Sequence, residues 1–528
     1  MTGPGAEDVP MPEVAAGSGV ESGVGSAVGA AVGSAGTGDP GGAVESRVAR
    51  RRRALRPVPG RTAAIVTAAA VIIGVGIVSA TVPSPSPASP TPLGDGVGVA
   101  PASALTSSLF CATGAGRDAG AGATGVVVLT NTTRSVVTGV MTVARSSGAT
   151  PFRRAVSVPA LGSTDVVPAQ GLPAGATAST FVFAGGGVTG TMVIGSAVGW
   201  STAPCTSTLS STWDFAGGST ATGSLDLSLF NPTAAQAVVN VSFLTTSGDV
   251  LVPQAYQGIT LGPEGLVVAG LGTYVQNQAV VGTLVQTTAG AIVATELDRL
   301  AVGSGSGLAL VSGTPESAGT WRFAQTTAVQ GGSITLSLAN PGASPVTAQL
   351  TVGLSSATVT PKGVTVPGNS VVPVVASAVA GWPLGSPYSA TVTASGPVIV
   401  GRRVSAPKGA ASPQAGLTGG TTVTSPSWLV VGPGSPGHPL VSGATIQTLA
   451  VANPGSAPVQ LTVTPLAGGR PVARLNVAGN GLVVLGPAVV GGLRPLVVRA
   501  SGAVSVEVDD GPVGAPGVVS ASGFPLGG

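Results

Sequence analysis

The sequence predicts an all-β protein: four tandem Ig-like β-sandwich repeats of about 105 residues, after one N-terminal transmembrane helix and a disordered N-terminus. Three observations carry that expectation. The composition joins 43% hydrophobic residues, mostly small and β-branched, to 83 Gly and 44 Pro, which suits short strands and tight turns rather than a wholly disordered chain. One turn block recurs four times along the chain. Around each copy apolar residues alternate with period two, the mark of a strand with one buried face.

Taken in order, residues 1–46 are Gly, Ala, Val and Ser with scattered acids and no period, and read as a disordered cytoplasmic tail. Residues 47–61 form a basic juxtamembrane arm carrying Arg47, Arg50, Arg51, Arg52, Arg53, Arg56 and Arg61. That arm accounts for the formal charge of +3; without it the chain is slightly acidic. A nucleic-acid binder spreads its basic residues over a folded face, so nucleic acid is not an expected partner. Residues 62–82 lack any charge and are long enough to cross a bilayer core of about 30 Å as a helix. With the arginines before it, the N-terminus is expected inside and the repeats outside. "VSA" at Val78–Ala80 keeps a second reading open, a leader cleaved near Ala80 and a secreted product. Residues 83–104, opening "PSPSPASPTP", form a Pro/Ser linker of the extended, semi-rigid kind.

The repeats are expected at 105–208, 209–312, 313–420 and 421–528, aligned on Asn131, Asn231, Asn340 and Asn453. The third and fourth copies, "LANPGASPV" and "VANPGSAPV", are nearly identical. Positions four and two before each Asn are apolar, and Asn-Pro stops the strand because Pro cannot donate to a ladder. A second block ("ITLGPEGLVV", "VTVPGNSVV", "LNVAGNGLVV") and a Gly-centred block expected as a closing hairpin ("LVQTTAGAIVATE", "ATVTASGPVIVGR", "LVVRASGAVSVEV") recur in register. Repeats two to four open on Trp213, Trp321 and Trp428, expected as core plugs, with Phe110 near that place in repeat one. In these Trp, Asn-Pro and Gly blocks, over roughly Leu105 to Gly528, the chain resembles an actinobacterial family of large secreted or membrane-anchored proteins, domain of unknown function 5719. The resemblance implies an envelope protein and no reaction.

Cys111 and Cys205 bracket repeat one, and outside the membrane a disulfide between its first and last strands is expected; free thiols or a redox pair are the alternatives. His438 stands in a Gly/Pro loop without the partners of a triad or a zinc site. "GPGSPG" at 432–437 matches a phosphate-loop pattern, but its prolines forbid a helix start with free amides. No cofactor or metal is expected. Asp509 with Asp510, and Glu296 with Asp298, are the carboxylate pairs a glycosidase would need. Glu296 falls where Arg402 or Arg403 and Glu507 fall in the other repeats, so it reads as a surface hairpin position, and no catalytic residue is assigned. Trp382 and Tyr388, in "GWPLGSPY", are the candidate binding patch. The expectation is therefore a non-catalytic, single-pass envelope protein, acting as structural spacer or as binding module for cell-wall polysaccharide or an envelope protein. The second reading is an accessory or regulatory subunit of a surface glycan-processing enzyme.

Overall fold

A computed structural model describes residues 97–526 apart from breaks at 115–123, 197–198, 303–304, 328–332, 356–357, 380, 384, 406–414, 433–443, 491, 493 and 513–518. The expected tail, basic arm, membrane helix and most of the linker lie outside the described residues. Among the described residues no helix is long and apolar enough to cross a membrane.

The described chain is mostly strand, in several antiparallel sheets. Segment 105–208 contains β1 (Ser107–Cys111), β2 (Thr124–Asn131), β3 (Val137–Arg145), β4 (Phe152–Val158), β5 (Ser163–Val166), β6 (Thr177–Phe183), β7 (Val188–Ser196) and β8 (Gly199–Pro204). They form two sheets, β1-β6-β3-β4 and β5-β2-β7-β8. Segment 209–312 adds β9 (Thr212–Gly218), β10 (Ser224–Asn231), β11 (Ala237–Leu244), β12 (Val250–Leu251), β13 (Ile259–Leu261), β14 (Gly265–Gly270), β15 (Val281–Ala289), β16 (Val293–Val302) and β17 (Gly305–Ser312). Its sheets run β9-β15-β11-β12, with β13 also paired to β11, and β14-β10-β16-β17; with β12 and β13 taken as one interrupted strand, the order is the same again.

In segment 313–420, β18 (Ala318–Thr327), β19 (Ser333–Asn340), β20 (Val346–Gly353), β21 (Thr358–Val366), β22 (Ser370–Val375), β23 (Pro387–Ser405) and β24 (Ala415–Gly419) follow. Segment 421–528 closes with β25 (Ser425–Val430), β26 (Ala444–Ala452), β27 (Val459–Pro465), β28 (Ala473–Val477), β29 (Leu482–Leu485), β30 (Leu496–Pro512), β31 (Val519–Ser522) and β32 (Phe524–Pro525). Here β23 and β30 are long enough to serve both sheets of their segment. The opening strand of each segment lies beside a late one (β1 by β6, β9 by β15, β18 by β23, β25 by β30), whereas immunoglobulin constant domains order their strands A-B-E-D and C-F-G.

The Gly-centred blocks are not hairpins. β15 and β16 belong to opposite sheets, bending at Gly290 (φ 77°), and β23 and β30 run through Gly396 and Gly502 from one sheet into the other. Alternation on both sides of a glycine suits a hairpin and a sheet change equally, and the core decides. A tryptophan fixes the change each time. Trp213, Trp321 and Trp428 are buried, and their indole N–H groups donate to the carbonyls of Ile292, Val398 and Val504 at 2.8, 2.8 and 3.0 Å. Each carbonyl lies two residues beyond the glycine. Leu109, opposite core Phe181, fills the tryptophan's place in the first segment; Phe110 points to the other face.

The Asn blocks are buried corners. Asn340 Nδ2 donates to the carbonyls of Ser344, Val366 and Pro367 at 2.8, 3.2 and 3.1 Å, while its Oδ1 accepts from the Gly342 amide at 3.0 Å. Asn453 and Asn231 repeat this pattern, and Asn131 nearly so. The side chain thus ties the turn after the second strand of its segment to the end of β4, β13, β21 or β28. Beside it a left-handed residue (Leu161, Glu264, Asn369, Asn480) donates its amide back to the turn. Asn340→Ala would leave several buried carbonyls unpaired, so chemical denaturation is expected to show a loss of about 2 kcal/mol.

The segments do not trail one another as beads. Leu297, Leu308 and Leu310 of the second join the core of the first, and Ala216 and Leu244 of the second join that of the third. Ala324 packs with Ala450, Ala452 and Leu482 between third and fourth. Val126, Val128 and Val193 pack with Leu429, Val431, Val497 and Phe524, returning the fourth to the first. Val99 pairs with Leu526 in a parallel bridge that ties the two ends. At the centre β8 packs on β17, β17 on β24, β24 on β31 and β31 on β8. The order is cyclic and closed. Very close approach is needed at one joint: a Cβ on Gly401 would lie 1.9 Å from the Ala216 carbonyl oxygen.

Candidate functional site

Closure brings together residues far apart in sequence, at three places. The first is a buried row of charge. Glu296 on β16, Arg402 on β23 and Glu507 on β30 sit opposite Leu227, Leu336 and Ala450 of their sheet neighbours. All three are buried, so the expected surface position of Glu296 is corrected: next to another segment, the strand's polar sites face protein rather than water. Arg402 pairs with Glu507 and places its guanidinium 5.0 Å from the centroid of Phe323. Arg403 Nη2 lies 3.1 Å from Asp298 Oδ2 and donates to the Gly217 carbonyl at 2.5 Å, and the Ser219 amide also reaches Asp298. These pairs link the second segment to the third and the third to the fourth.

Burial dominates their titration. It pushes Glu296 up to about 8, reinforced by the negative charge of Asp298. It pushes Asp298 up to about 7 against the opposing pull of Arg403. Glu296 Oε1 and Asp298 Oδ1 are buried without a hydrogen-bond partner. Neither carboxylate is among the lining of the cavity or the groove described next. Asp509 accepts a hydrogen bond from Thr448 at 3.1 Å, and the side chain of Asp510 lies outside the described residues.

The second place is a cavity of about 100 Å³ at the hub, walled by strands of all four segments, with Asp214, Phe215, Trp321 and Trp428 among its lining. Burial raises Asp214 to about 7. The third is a groove of about 280 Å³ between the third and fourth segments, bounded by Arg322, Thr351 and Thr391 on one side and Asn453, Pro454 and Asn480 on the other.

The sequence-predicted residues fare differently. Cys111 on β1 and Cys205, just beyond β8, form the expected disulfide, with Cα atoms 4.7 Å apart. Replacing both by Ser is expected to cost about 3 kcal/mol in thermal or chemical unfolding, since the 94-residue loop regains freedom when unfolded. Trp382 and Tyr388 are buried in the core of the third segment, edge to face at 5.3 Å, so they form no exposed patch. The Gly and Pro around them suggested a surface loop, but two large rings in a chain with 3% aromatics are worth more to the core than to solvent. His438 lies outside the described residues, and among those described no cluster of His, Cys, Asp or Glu could hold a metal. Sequence reasoning missed Arg322. Its signal was a charged residue directly after a core tryptophan, at the place held by Asp214 and Leu429 in two other segments.

No family model matches the chain, and no curated protein matches it. Among solved structures it is similar to Thermotoga maritima 1070, at 18% identity over 20% of this chain and 93% of that one, with a TM-score of 0.19. It is also similar to a tetra-tandem repeat in the extending region of a large adhesion protein, at 14% identity over 75% of this chain and 93% of that one, with a TM-score of 0.11. Scores this low carry no argument about the present chain.

Proposed function

We propose that this chain is a non-catalytic envelope protein, held to the membrane by residues 62–82, whose four Ig-like sandwich repeats close into one body that binds cell-wall glycan or a protein partner. The Ig likeness is meant broadly, as two packed antiparallel sheets, and membership of the domain of unknown function 5719 family belongs to the same proposal. The observation that favours a binding module over a spacer is the cyclic packing, with Val99 bridged to Leu526. A spacer gains reach by keeping its ends apart, whereas a closed body gains rigid walls and joints between repeats, where ligand sites commonly form.

Two measurements test this. A chain lacking residues 1–96 should scatter as a compact particle with a radius of gyration near about 22 Å by the usual size scaling; a much larger, rod-like value would return the spacer. Isolated cell wall should retain the purified chain in a pulldown. Retention of nothing, from wall or membrane extract, would sink the binding reading. Protease added to intact cells should remove the residues beyond Pro101 and leave a cytoplasmic control untouched, as the expected topology requires.

A further inference from the structure

We propose that the groove between the third and fourth segments is a binding site for an acidic sugar residue, with Arg322 holding its carboxylate or phosphate group. This deepens the binding-module reading and rests on it.

The argument begins with four equivalent rows of residues. The position after each core tryptophan, or after Leu109, starts a row of three outward residues across neighbouring strands. The rows are Phe110–Thr180–Thr142, Asp214–Leu284–Ser242, Arg322–Thr391–Thr351 and Leu429–Val497–Thr464. Three of them meet the next segment through apolar contact: Phe110 against the core of the second, Leu284 against that of the third, Leu429 and Val497 against valines of the first. The Arg322 row does not. Arg322 meets the fourth segment through hydrogen bonds to Thr421 and Thr422, and beside it lies the groove, so a guanidinium and hydroxyls occupy the place where apolar packing closes the other joints.

Arg322 has no carboxylate partner among the described residues. One nitrogen, Nη1, donates to the Thr422 carbonyl at 3.2 Å, and Nε is buried with no acceptor. Burial disfavours its charged form, and no nearby negative group offsets this. A partly desolvated cation left without an anion is costly unless something supplies one. A planar guanidinium with open donors suits carboxylate and phosphate oxygens in particular.

The rest of the groove is hydroxyl-rich. Thr320, Thr351, Ser389, Thr391, Thr393 and Ser505 line it, and no Asp or Glu is among its lining residues to repel an anion. Hydroxyl groups that both donate and accept match the hydroxyls of a sugar ring. The volume, just under the roughly 300 Å³ where typical ligand pockets begin, suits one ring better than an extended oligomer.

Calorimetric titration of the purified full chain tests the site with four probes: glucuronic acid, glucose 6-phosphate, glucose and inorganic phosphate. At least one acidic sugar should bind, at about 1 mM or tighter. Glucose and inorganic phosphate should each bind at least about tenfold more weakly, because each lacks half of the recognition. Whichever acidic sugar binds tells a uronate source from a phosphorylated one. Arg322→Gln should weaken that binding at least about tenfold, and Thr391→Val about threefold with an unchanged unfolding temperature. Glucose binding as tightly as the acidic sugars, no binding by either acidic sugar, or full binding by a folded Arg322→Gln chain would each overturn the site. If that variant still binds isolated cell wall as the native chain does while losing the acidic sugar, the groove stands and the wall is held elsewhere. If the acidic sugar titrates but wall binding is absent from both, the broader reading fails and the groove does not.

Discussion

Arg402→Met is expected to destabilise the chain by about 3–5 kcal/mol, because it strands a buried carboxylate. Arg402 is 1% exposed, and its partner Glu507 on the next segment is 5% exposed. The substitution keeps most of the side-chain volume over Phe323 but removes the positive charge paired with Glu507. The double variant Arg402→Met/Glu507→Leu should recover most of the loss, since two apolar groups of suitable volume often replace a buried pair at little cost. Denaturant unfolding of the native chain, both single variants and the double variant measures the coupling. Additive losses would show that the two residues stabilise the fold independently rather than as a pair.

What could be read from the sequence was local. Period-two alternation placed the strands, and the Asn turn blocks marked where each second strand ends, because alternation and turn chemistry are written in adjacent residues. The joints depend on residues of other segments, and the sequence marks them only faintly. Ala216, Ala324, Ala450 and Ala452 pack across joints, yet alanine is so common here that it cannot flag an interface. A better clue was the run Val126–Val127–Val128, apolar on both faces, because a strand of a free sandwich alternates while one covered on both sides need not. The 8% charged content points the same way, since four separate sandwiches would expose more surface than so few charges can solvate. The recurring charged position was also visible, at Glu296, Arg402 and Glu507. Its opposite signs in neighbouring segments were the sign of a joint, and only an assumption of exposure hid it.

Glu296→Gln is expected to stabilise the chain at pH 8 by roughly 3–4 kcal/mol and to leave it unchanged near pH 4. Burial holds the native carboxyl up to about 8, against an ordinary value of 4.5. Between those two values the native state keeps a proton that the unfolded chain has released. The native state therefore binds more protons, and stability falls as pH rises through that window, by up to 1.36 kcal/mol per pH unit for one such group. Below the ordinary value both states are protonated and the penalty vanishes; above about 8 both are ionised and it stays at its maximum. Asp298 and Asp214, raised to about 7, act in the same direction over a narrower window. The native chain should thus be most stable in mild acid, with a melting temperature that declines from pH 5 to pH 8. Glutamine is neutral at every pH and nearly the shape of the protonated acid, so the variant's curve should diverge from the native one only as pH rises. It should keep the part of the slope due to the two aspartates. Parallel curves for native chain and variant from pH 4 to 8 would mean that Glu296 is ionised in the folded protein and matched by Arg403. The second and third segments would then be joined by a true triad of charge rather than by one pair and a buried neutral acid.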